Sequence, residues 1–233
     1  MKYDNITKGI FVDRPNRFVA HVKVDGRTET VHVKNTGRCR ELLLPGAEVW
    51  LTAPGTEGRK TRYDLVTVRK GNGLLINIDS QAPNAVVKEW LERQGYDKVI
   101  PEYTHGDSRI DFYLRRGKEQ TLMEVKGCTL EVDGIGYFPD APTERGVKHL
   151  RELAKAVRDG YRAVIAFAIQ MPGVCEVRPN VQTHPEFGTA WEEAVKAGVE
   201  VLFLPCRVEP VNVADIFLFI LQSYLSDGFQ KWL

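Results

Sequence analysis

The sequence predicts a chain of two parts, a small all-β barrel at residues 1–82 and an α/β domain with a mixed sheet at residues 83–233. In the first part, short strand-like runs are separated by Gly, Pro and Asn, which is the pattern of a compact all-β fold. In the second part, helix-like and strand-like segments alternate, which is typical of a sheet with crossover helices. A chain of 233 residues with a hydrophobic fraction of 43% can build both cores.

Charge is unevenly distributed along the chain. Residues 1–80 hold 14 Lys and Arg against 9 Asp and Glu, although the net charge of the whole chain is only +1. A basic first third indicates a phosphate-bearing partner, and a basic solvated surface fits the charge equally. The N-terminus lacks the apolar segment of a signal peptide, no apolar run approaches the roughly 20 residues of a membrane span, and the cysteines form no CxxC pair. These features predict a reduced cytoplasmic protein with no membrane partner.

Five strands are predicted in the first part. The first two, at residues 18–24 and 28–34, flank Asp25-Gly26, a dipeptide typical of hairpin turns. The other three are expected at residues 48–52, 62–69 and 74–78. Five short strands in about 80 residues favour an oligonucleotide-binding (OB) barrel, and an SH3-like barrel fits the pattern nearly as well.

Polar, basic and aromatic residues of the barrel are candidates for nucleic-acid binding. They are Arg14, Arg17, Phe18, Asn35, Thr36 and Arg38. Arginine can bind phosphate, and an aromatic ring can stack on a base. The turn that begins at Asn35 could present backbone N–H groups to a phosphate. Phe18 has a competing assignment, because an apolar residue in a strand is more often buried in the core.

The second part is predicted to begin with a helix capped by Asn84. The elements expected after it are strands at 109–114 and 121–127, a long Gly- and Pro-rich loop, a helix from Thr143 to about Asp159, a buried strand at 163–169, a helix at 185–197 and a strand at 200–204. The apolar tail is predicted to add a helix at 214–225 that packs on the body or on the second subunit of a homodimer.

Three charged residues of the paired strands form the candidate active site. Glu124 and Lys126 are two residues apart, so their side chains project from the same face of a strand, and pairing of the strands brings Asp111 alongside them. An acid in an apolar strand is costly unless it is paired or binds a metal. One interpretation is therefore a buried ion pair. The other is a Mg²⁺ or Mn²⁺ site held by Asp111 and Glu124, in which Lys126 positions water for phosphodiester hydrolysis. Glu102 is either a further metal ligand or an exposed loop acid.

The helix predicted after Thr143 carries Arg145, Lys148 and His149 near its start. The N-terminus of a helix attracts anions through its free N–H groups and dipole, and basic side chains strengthen that attraction. These three residues are therefore candidates for nucleic-acid binding, with a solvated charged face as the alternative.

A family resemblance is carried by four segments that follow one another over most of the chain: KNTGRCREL, RIDFYL, MEVKGCTL and GYFPDAPTERGVKHLREL. They resemble the sugar fermentation stimulation protein family. The resemblance implies an N-terminal OB-like barrel, a C-terminal PD-(D/E)XK nuclease-like domain, DNA binding and, in bacteria, a regulatory link to sugar metabolism. Position by position, it implies that Asp111, Glu124 and Lys126 fill the nuclease motif, with Ile110 where that motif has proline.

Two functions are expected as main alternatives, and a third is that the trio is a structural ion pair and the ligand is a sugar or a nucleotide. In the first, the protein is a Mg²⁺- or Mn²⁺-dependent nuclease that acts on DNA, single- or double-stranded. In the second, it is a DNA-binding regulator of sugar metabolism genes that retains the nuclease scaffold without turnover. The intact trio favours the first, because a protein that only binds DNA does not need all three residues.

Overall fold

The structure is a computed structural model that describes residues 1–35, 37–55, 58–106, 108–212 and 215–220. Its N-terminal part is a closed β-barrel, and its C-terminal part is a mixed seven-stranded sheet with helices on both faces. This architecture confirms the predicted fold class. Within the described residues, no helix is both long enough and apolar enough to span a membrane.

The described part of residues 1–80 contains seven strands. They are β1 (Lys2–Tyr3), β2 (Ile6–Asn16), β3 (Val19–Val24), β4 (Arg27–Val33), β5 (Glu48–Thr52), β6 (Asp64–Arg69) and β7 (Leu75–Asn77). Strands β2 to β6 form the barrel in the order β4-β3-β2-β5-β6, and a parallel pairing of β4 with β6 closes it. Strand β7 pairs with β6 outside this ring, and β1 joins the C-terminal sheet.

The β3–β4 hairpin forms where the sequence predicts it. Asp25 and Gly26 both have positive φ, 48° and 81°. Two such residues make the tight turn whose twist matches that of paired strands. Val24 and Arg27 pair directly across this turn.

Strand β2 is missing from the sequence prediction, although it is the middle strand in the order of the barrel and pairs with both β3 and β5. Its 11 residues include Gly9 and Pro15, which normally interrupt strands. Gly9 is required by packing, because a Cβ added there would lie 2.3 Å from Cγ1 of Val22 on the neighbouring strand.

The remaining described strands are β8 (Lys98–His105), β9 (Ser108–Arg116), β10 (Glu119–Cys128), β11 (Leu130–Val132), β12 (Ile135–Phe138), β13 (Arg162–Ile169), β14 (Val177–Pro179), β15 (Glu200–Asn212) and β16 (Asp215–Ile220). The helices are α1 (Ala82–Leu91), α2 (Glu144–Arg158) and α3 (Pro185–Lys196). The large sheet has the order β1-β16-β15-β13-β10-β9-β8, with β10, β13 and β15 parallel.

Helices cover the two faces of the large sheet. Helix α1 packs through Val87 and Trp90 against the face that carries Met123 and Val125 of β10. Helices α2 and α3 lie on the opposite face and share a core with the barrel. Strand β13 is buried on both sides, which explains its uninterrupted apolar sequence.

Three local predictions are wrong. Helix α1 begins at Ala82 with Gln81 as its N-cap, so Asn84 lies inside the helix and does not cap it. The long loop after Lys126 contains β11 and β12, which form a small sheet with β14. Where a helix is predicted at 214–225, residues 215–220 form β16, paired antiparallel with β15; residues 214 and 221–225 lie outside the described residues. The homodimer stays a prediction.

A buried polar network joins the barrel to the large sheet. Gln170, at the end of β13, donates from Nε2 to Asn77 Oδ1 at 2.7 Å and to the Asp79 carbonyl at 3.1 Å. Tyr3 donates from its hydroxyl to Asp79 Oδ2 at 3.1 Å, and Lys34 of the barrel side reaches the same oxygen at 2.7 Å. Because such groups are costly to bury unpaired, this network fixes the two parts of the chain together.

Candidate functional site

The β9–β10 hairpin brings together Asp111, Glu124 and Lys126, and their surroundings are here called the acid site. Its strands pair in register from Arg116 and Glu119 to Phe112 and Met123. Just beyond the last pair, Asp111 Oδ2 accepts the backbone N–H of Val125 at 2.8 Å. Its other oxygen, Oδ1, accepts from Asn84 Nδ2 of helix α1, also at 2.8 Å. The Asp111 carboxylate is therefore held between β10 and α1.

Glu124 is buried, with 3% of its side chain exposed, and so is most of Lys126, with 14% exposed. Lys126 Nζ donates to Glu124 Oε1 at 2.6 Å. The second carboxylate oxygen of Glu124, Oε2, is buried and has no hydrogen-bond partner among the residues that the structure describes. Native proteins rarely leave a buried polar atom unpaired, so this oxygen requires an explanation, and a metal ion is one that the chemistry allows.

His149 is a buried member of this site. Its Nδ1 lies 3.0 Å from Lys126 Nζ and also contacts Glu124 Oε1. Its Nε2 faces Arg145 Nε at 3.3 Å, one helical turn earlier on α2. The sequence predicts a nucleic-acid contact at His149, whereas the structure places the ring against the acid and the lysine. Only the fold could reveal this, because α2 and β10 are distant in sequence.

The local environment moves the pKa values of the two acids in opposite directions. Burial and the nearby Glu124 carboxylate raise the pKa of Asp111 above its usual range. Burial also tends to raise the pKa of Glu124, but the hydrogen bond from His149 and the charge of Lys126 outweigh it and lower that pKa. Hard divalent cations prefer such carboxylate oxygens. By the type of their ligand atoms, the carboxylates of Asp111 and Glu124 fit Mg²⁺ or Mn²⁺, and a bound cation would offset the repulsion between them.

Glu102 has the surroundings of an exposed acid. It lies on strand β8, and its Oε2 pairs with Nη2 of Arg109 at 2.5 Å, where both side chains are more than half exposed. In the described part of the chain, no hydrogen bond or ion pair joins it to Asp111, Glu124 or Lys126. The structure thus favours the alternative of an exposed acid for Glu102, although this acid lies on a strand and not in a loop.

A second group with metal-ligand chemistry consists of Glu144, His184 and Glu186. His184 Nδ1 accepts the N–H of Thr143 at 3.3 Å, so the ring hydrogen belongs on Nε2, which faces Glu144 at 3.3 Å. A ring nitrogen that carries a hydrogen has no lone pair for a metal. The contacts of His184 with Thr143 and Glu144, and the pairing of Glu186 with Arg151 at 2.8 Å, explain this group without a metal.

Two of the residues predicted to bind nucleic acid, Arg14 and Asn35, instead form hydrogen bonds within the barrel itself. Arg14 donates from Nη1 and Nη2 to four backbone carbonyls, those of Asn35, Gly37, Arg38 and Arg17, at 2.7–3.0 Å. Asn35 donates to the carbonyl of Ile78 and accepts the N–H of Gly37. These contacts fix the loop that follows β4, so neither side chain is free to contact a phosphate. Thr36 lies outside the described residues.

The backbone N–H groups of this loop face a carboxylate, where the sequence suggests a phosphate. The amides of Arg38 and Cys39 point to Asp140, which precedes α2, and they lower its pKa; burial raises that pKa by more. Gly37 allows this approach, since a Cβ there would lie 2.1 Å from Asp140 Oδ2. Sequence reasoning misses Asp140 because the contact joins the two parts of the chain.

Arg17, Arg38 and Arg40 line an open cavity of about 370 Å³ at the same loop, here called the arginine pocket. Phe18, beside it, is 50% exposed, so its assignment to the core is wrong. On α2, Lys148 is exposed and pairs with Glu152 at 3.4 Å. Apart from Arg14, Asn35 and Thr36, the predicted nucleic-acid residues thus fall into an exposed group on the barrel, an exposed group on α2 and the buried His149.

Two family models match consecutive stretches of the chain. The sugar fermentation stimulation protein RE domain matches residues 81–212, and the SfsA N-terminal OB domain matches residues 12–78. The second match assigns the barrel to the OB class rather than the SH3-like class.

Individual relatives agree over nearly the whole chain. A sugar fermentation stimulation protein homolog of Desulfitobacterium hafniense (strain DSM 10664 / DCB-2) is 54% identical over 211 residues, which cover 89% of this chain and 92% of the relative. A homolog of Ruminiclostridium cellulolyticum is 50% identical over 213 residues, which cover 90% and 94%. The structure of Pyrococcus furiosus SfsA in complex with Ca²⁺ aligns with a TM-score of 0.81 at 31% identity, covering 95% of this chain and 96% of that one. The chain therefore belongs to the sugar fermentation stimulation protein family.

Proposed function

We propose that this protein is a Mg²⁺- or Mn²⁺-dependent phosphodiesterase that cleaves DNA. One observation carries the proposal: Asp111, Glu124 and Lys126 meet at one end of a hairpin, where Glu124 Oε2 is buried without a described hydrogen-bond partner. A structural ion pair would normally satisfy both oxygens of a buried carboxylate. A cation bound by Glu124 and Asp111 would satisfy the second one.

Each residue of the site has a role in this reaction. Asp111 and Glu124 would hold the cation, which when bound supplies an activated water and offsets negative charge on phosphorus. Lys126 donates to Glu124, and in the proposed reaction its amino group would lie beside the phosphate and would orient the attacking water. His149 and Arg145 hold this lysine and acid in place from α2.

Two further observations support the proposal. The related Pyrococcus furiosus SfsA was solved in complex with Ca²⁺, a hard divalent cation with the same preference for oxygen ligands. The arginine pocket and the outer face of α2, with Arg145 and Lys148, offer positive charge to a nucleic-acid backbone. The four free cysteines support a separate proposal, that the protein works in a reducing cytoplasm.

The alternative is a DNA-binding regulator of sugar metabolism genes that does not cleave. The contacts of Glu124 Oε1 favour it, because Lys126 and His149 already compensate this charge without a metal.

The test is cleavage of end-labelled single- and double-stranded DNA in Mg²⁺, Mn²⁺ or EDTA, with binding measured on the same samples. We expect metal-dependent cleavage that Glu124→Gln and Lys126→Ala each abolish while DNA binding persists. Lys196→Ala, which removes an exposed lysine at the end of α3, is the matched control. Binding without cleavage under every metal would refute the nuclease and favour the regulator.

A further inference from the structure

Phe18 is an exposed aromatic ring on a rigid turn. It follows β2, and half of its surface is accessible to solvent. Asn16 Oδ1 accepts the N–H groups of both Phe18 and Val19, at 2.9 and 3.1 Å, so the turn is fixed by its own side chain. The guanidinium carbon of Arg17 lies 5.5 Å from the centre of the ring. This arrangement presents one apolar ring with a cation beside it, and packing inside the barrel does not explain it.

The three arginines of the arginine pocket, of which Arg17 also contacts this ring, lack acidic partners. Arg17, Arg38 and Arg40 are all exposed, and none forms an ion pair with a carboxylate in the described part of the chain. Of the other barrel arginines, Arg69 pairs with Glu48 at 2.7 Å and Arg59 pairs with Asp64, whereas Arg27 and Arg62 form no ion pair in the described residues but do not line this cavity. Unpaired positive charge concentrated at one cavity attracts an anion, and a polynucleotide backbone offers several.

The pocket is preorganised and connected to the acid site. Arg14 fixes the backbone on both sides of the cavity, at Arg17 and at Asn35 to Arg38. The same loop is held against Asp140, which is three residues before the N-cap of α2. Helix α2 then carries His149 into the acid site. One continuous set of contacts therefore places the pocket and the trio on a common framework.

We propose that the arginine pocket binds a nucleic-acid strand with unpaired bases, with Phe18 as a stacking surface and Arg17, Arg38 and Arg40 as phosphate contacts. The proposal rests on the proposed function and names its substrate class: single strands, or duplexes with a single-stranded end. The reason is geometric. In a duplex the faces of the bases are covered by their neighbours, so an exposed ring gains stacking energy only from a base that is unstacked.

The experiment measures binding in EDTA, so that cleavage cannot interfere. The probes are a fluorescein-labelled oligothymidylate of about 20 nucleotides, longer than the site of one OB fold, the ribose strand of the same thymine bases, and a duplex of the same length. We expect Phe18→Ala to weaken single-strand binding about tenfold and duplex binding less than about twofold, and Phe18→Trp to restore it. Arg38→Gln and Arg40→Gln should each lower the slope of log affinity against log salt by about 0.7.

Two controls make the result specific. Val195→Ala truncates another exposed apolar side chain, on α3, and Arg27→Gln removes an exposed arginine at the opposite end of β3. Neither should change binding. Equal affinity for the deoxyribose and the ribose strand would mean that the pocket binds single-stranded DNA and RNA alike. A preference for the deoxyribose strand would identify single-stranded DNA as the ligand. Either result supports the proposal.

Other outcomes separate this inference from the proposed function. Phe18→Ala that leaves single-strand binding unchanged, or weakens single-strand and duplex binding equally, would overturn the inference while metal-dependent cleavage could still stand. Oligothymidylate binding through Phe18 without cleavage under any metal would refute the nuclease and leave the inference intact.

Discussion

Nδ1 of His149 lies 3.0 Å from Nζ of Lys126 and also contacts Oε1 of Glu124. One ring can reach both groups because Glu124 and Lys126 project from the same face of β10. The opposite ring nitrogen, Nε2, faces Arg145 Nε at 3.3 Å. Helix α2 thus holds the lysine and the acid in one arrangement, and His149 is a positioning residue of the proposed reaction.

This relationship predicts different effects for two amide substitutions of His149. Asn places its amide near the position of Nδ1, next to Lys126 and Glu124, whereas the amide of Gln falls near Nε2, next to Arg145. We expect His149→Gln and His149→Ala to lower kcat of metal-dependent cleavage about 10- to 100-fold, and His149→Asn to lower it clearly less. Steady-state kinetics check this, with thermal unfolding of each variant as the control. Equal losses in the Asn and Gln variants at similar Tm would contradict a positioning role through Nδ1.

Metal binding should stabilise the folded protein through Asp111 and Glu124. A ligand that binds only the native state adds about 2.7 kcal/mol at a concentration of 100 times its Kd, so Mn²⁺ should raise the Tm of the wild type measurably. Asp111→Asn and Glu124→Gln should remove this rise. Glu102→Gln is the matched control, because Glu102 is exposed and paired with Arg109, and should leave the rise unchanged. Loss of the Mn²⁺ effect in the Glu102 variant would show that this acid is a ligand.

The sequence predicts the hairpin of the acid site because its evidence is local. Alternation of apolar and charged residues identifies β9 and β10, and a spacing of two places Glu124 and Lys126 on one face. The partners His149 and Asn84 reach the site from two helices on opposite faces of the sheet, and no local sequence pattern predicts such contacts. Strand β2 is missed for a similar reason. Gly9 interrupts its sequence pattern, and the need for a glycine there comes from Val22 on the neighbouring strand, a contact that the sequence does not reveal.

Gly37 should resist replacement because of Asp140. A Cβ at residue 37 would lie 2.1 Å from Asp140 Oδ2 and 2.8 Å from Asn35 Oδ1. We expect Gly37→Ala to lower the free energy of unfolding by about 1–3 kcal/mol, as overpacking usually does. Gly71→Ala has open space around its added methyl and should stay within about 0.5 kcal/mol of the wild type. Urea unfolding of both variants checks this, and equal stability of the two would refute the contact.

Asp140 should make stability depend on pH. Burial raises its pKa above the usual range, so the folded state favours the neutral carboxyl, and ionisation costs stability as the pH rises from the acid range to neutrality. Asn cannot ionise. The Tm of Asp140→Asn minus that of the wild type should therefore become more positive between about pH 4 and pH 7. Asp133→Asn, at an exposed turn, is the control and should show no such trend. A difference that falls as the pH rises would mean that the ionised carboxylate is the favoured form.

Gln170 should be critical for the junction between the barrel and the sheet. Its Nε2 donates to Asn77 Oδ1 and to the Asp79 carbonyl, and all three residues are fully buried. Gln170→Ala keeps the backbone bond from Asn77 N–H to its carbonyl, and the Asp79 carbonyl keeps the N–H of Ala82 at 3.2 Å, but Asn77 Oδ1 loses its buried donor. At about 1–3 kcal/mol for a buried acceptor left unpaired, we expect a loss of about 1–3 kcal/mol in the free energy of unfolding. Gln182→Ala, at an exposed glutamine, should change it by less than about 0.5 kcal/mol. Urea unfolding distinguishes the two, and a Gln170 variant as stable as the Gln182 variant would mean that these hydrogen bonds do not fix the two parts of the chain.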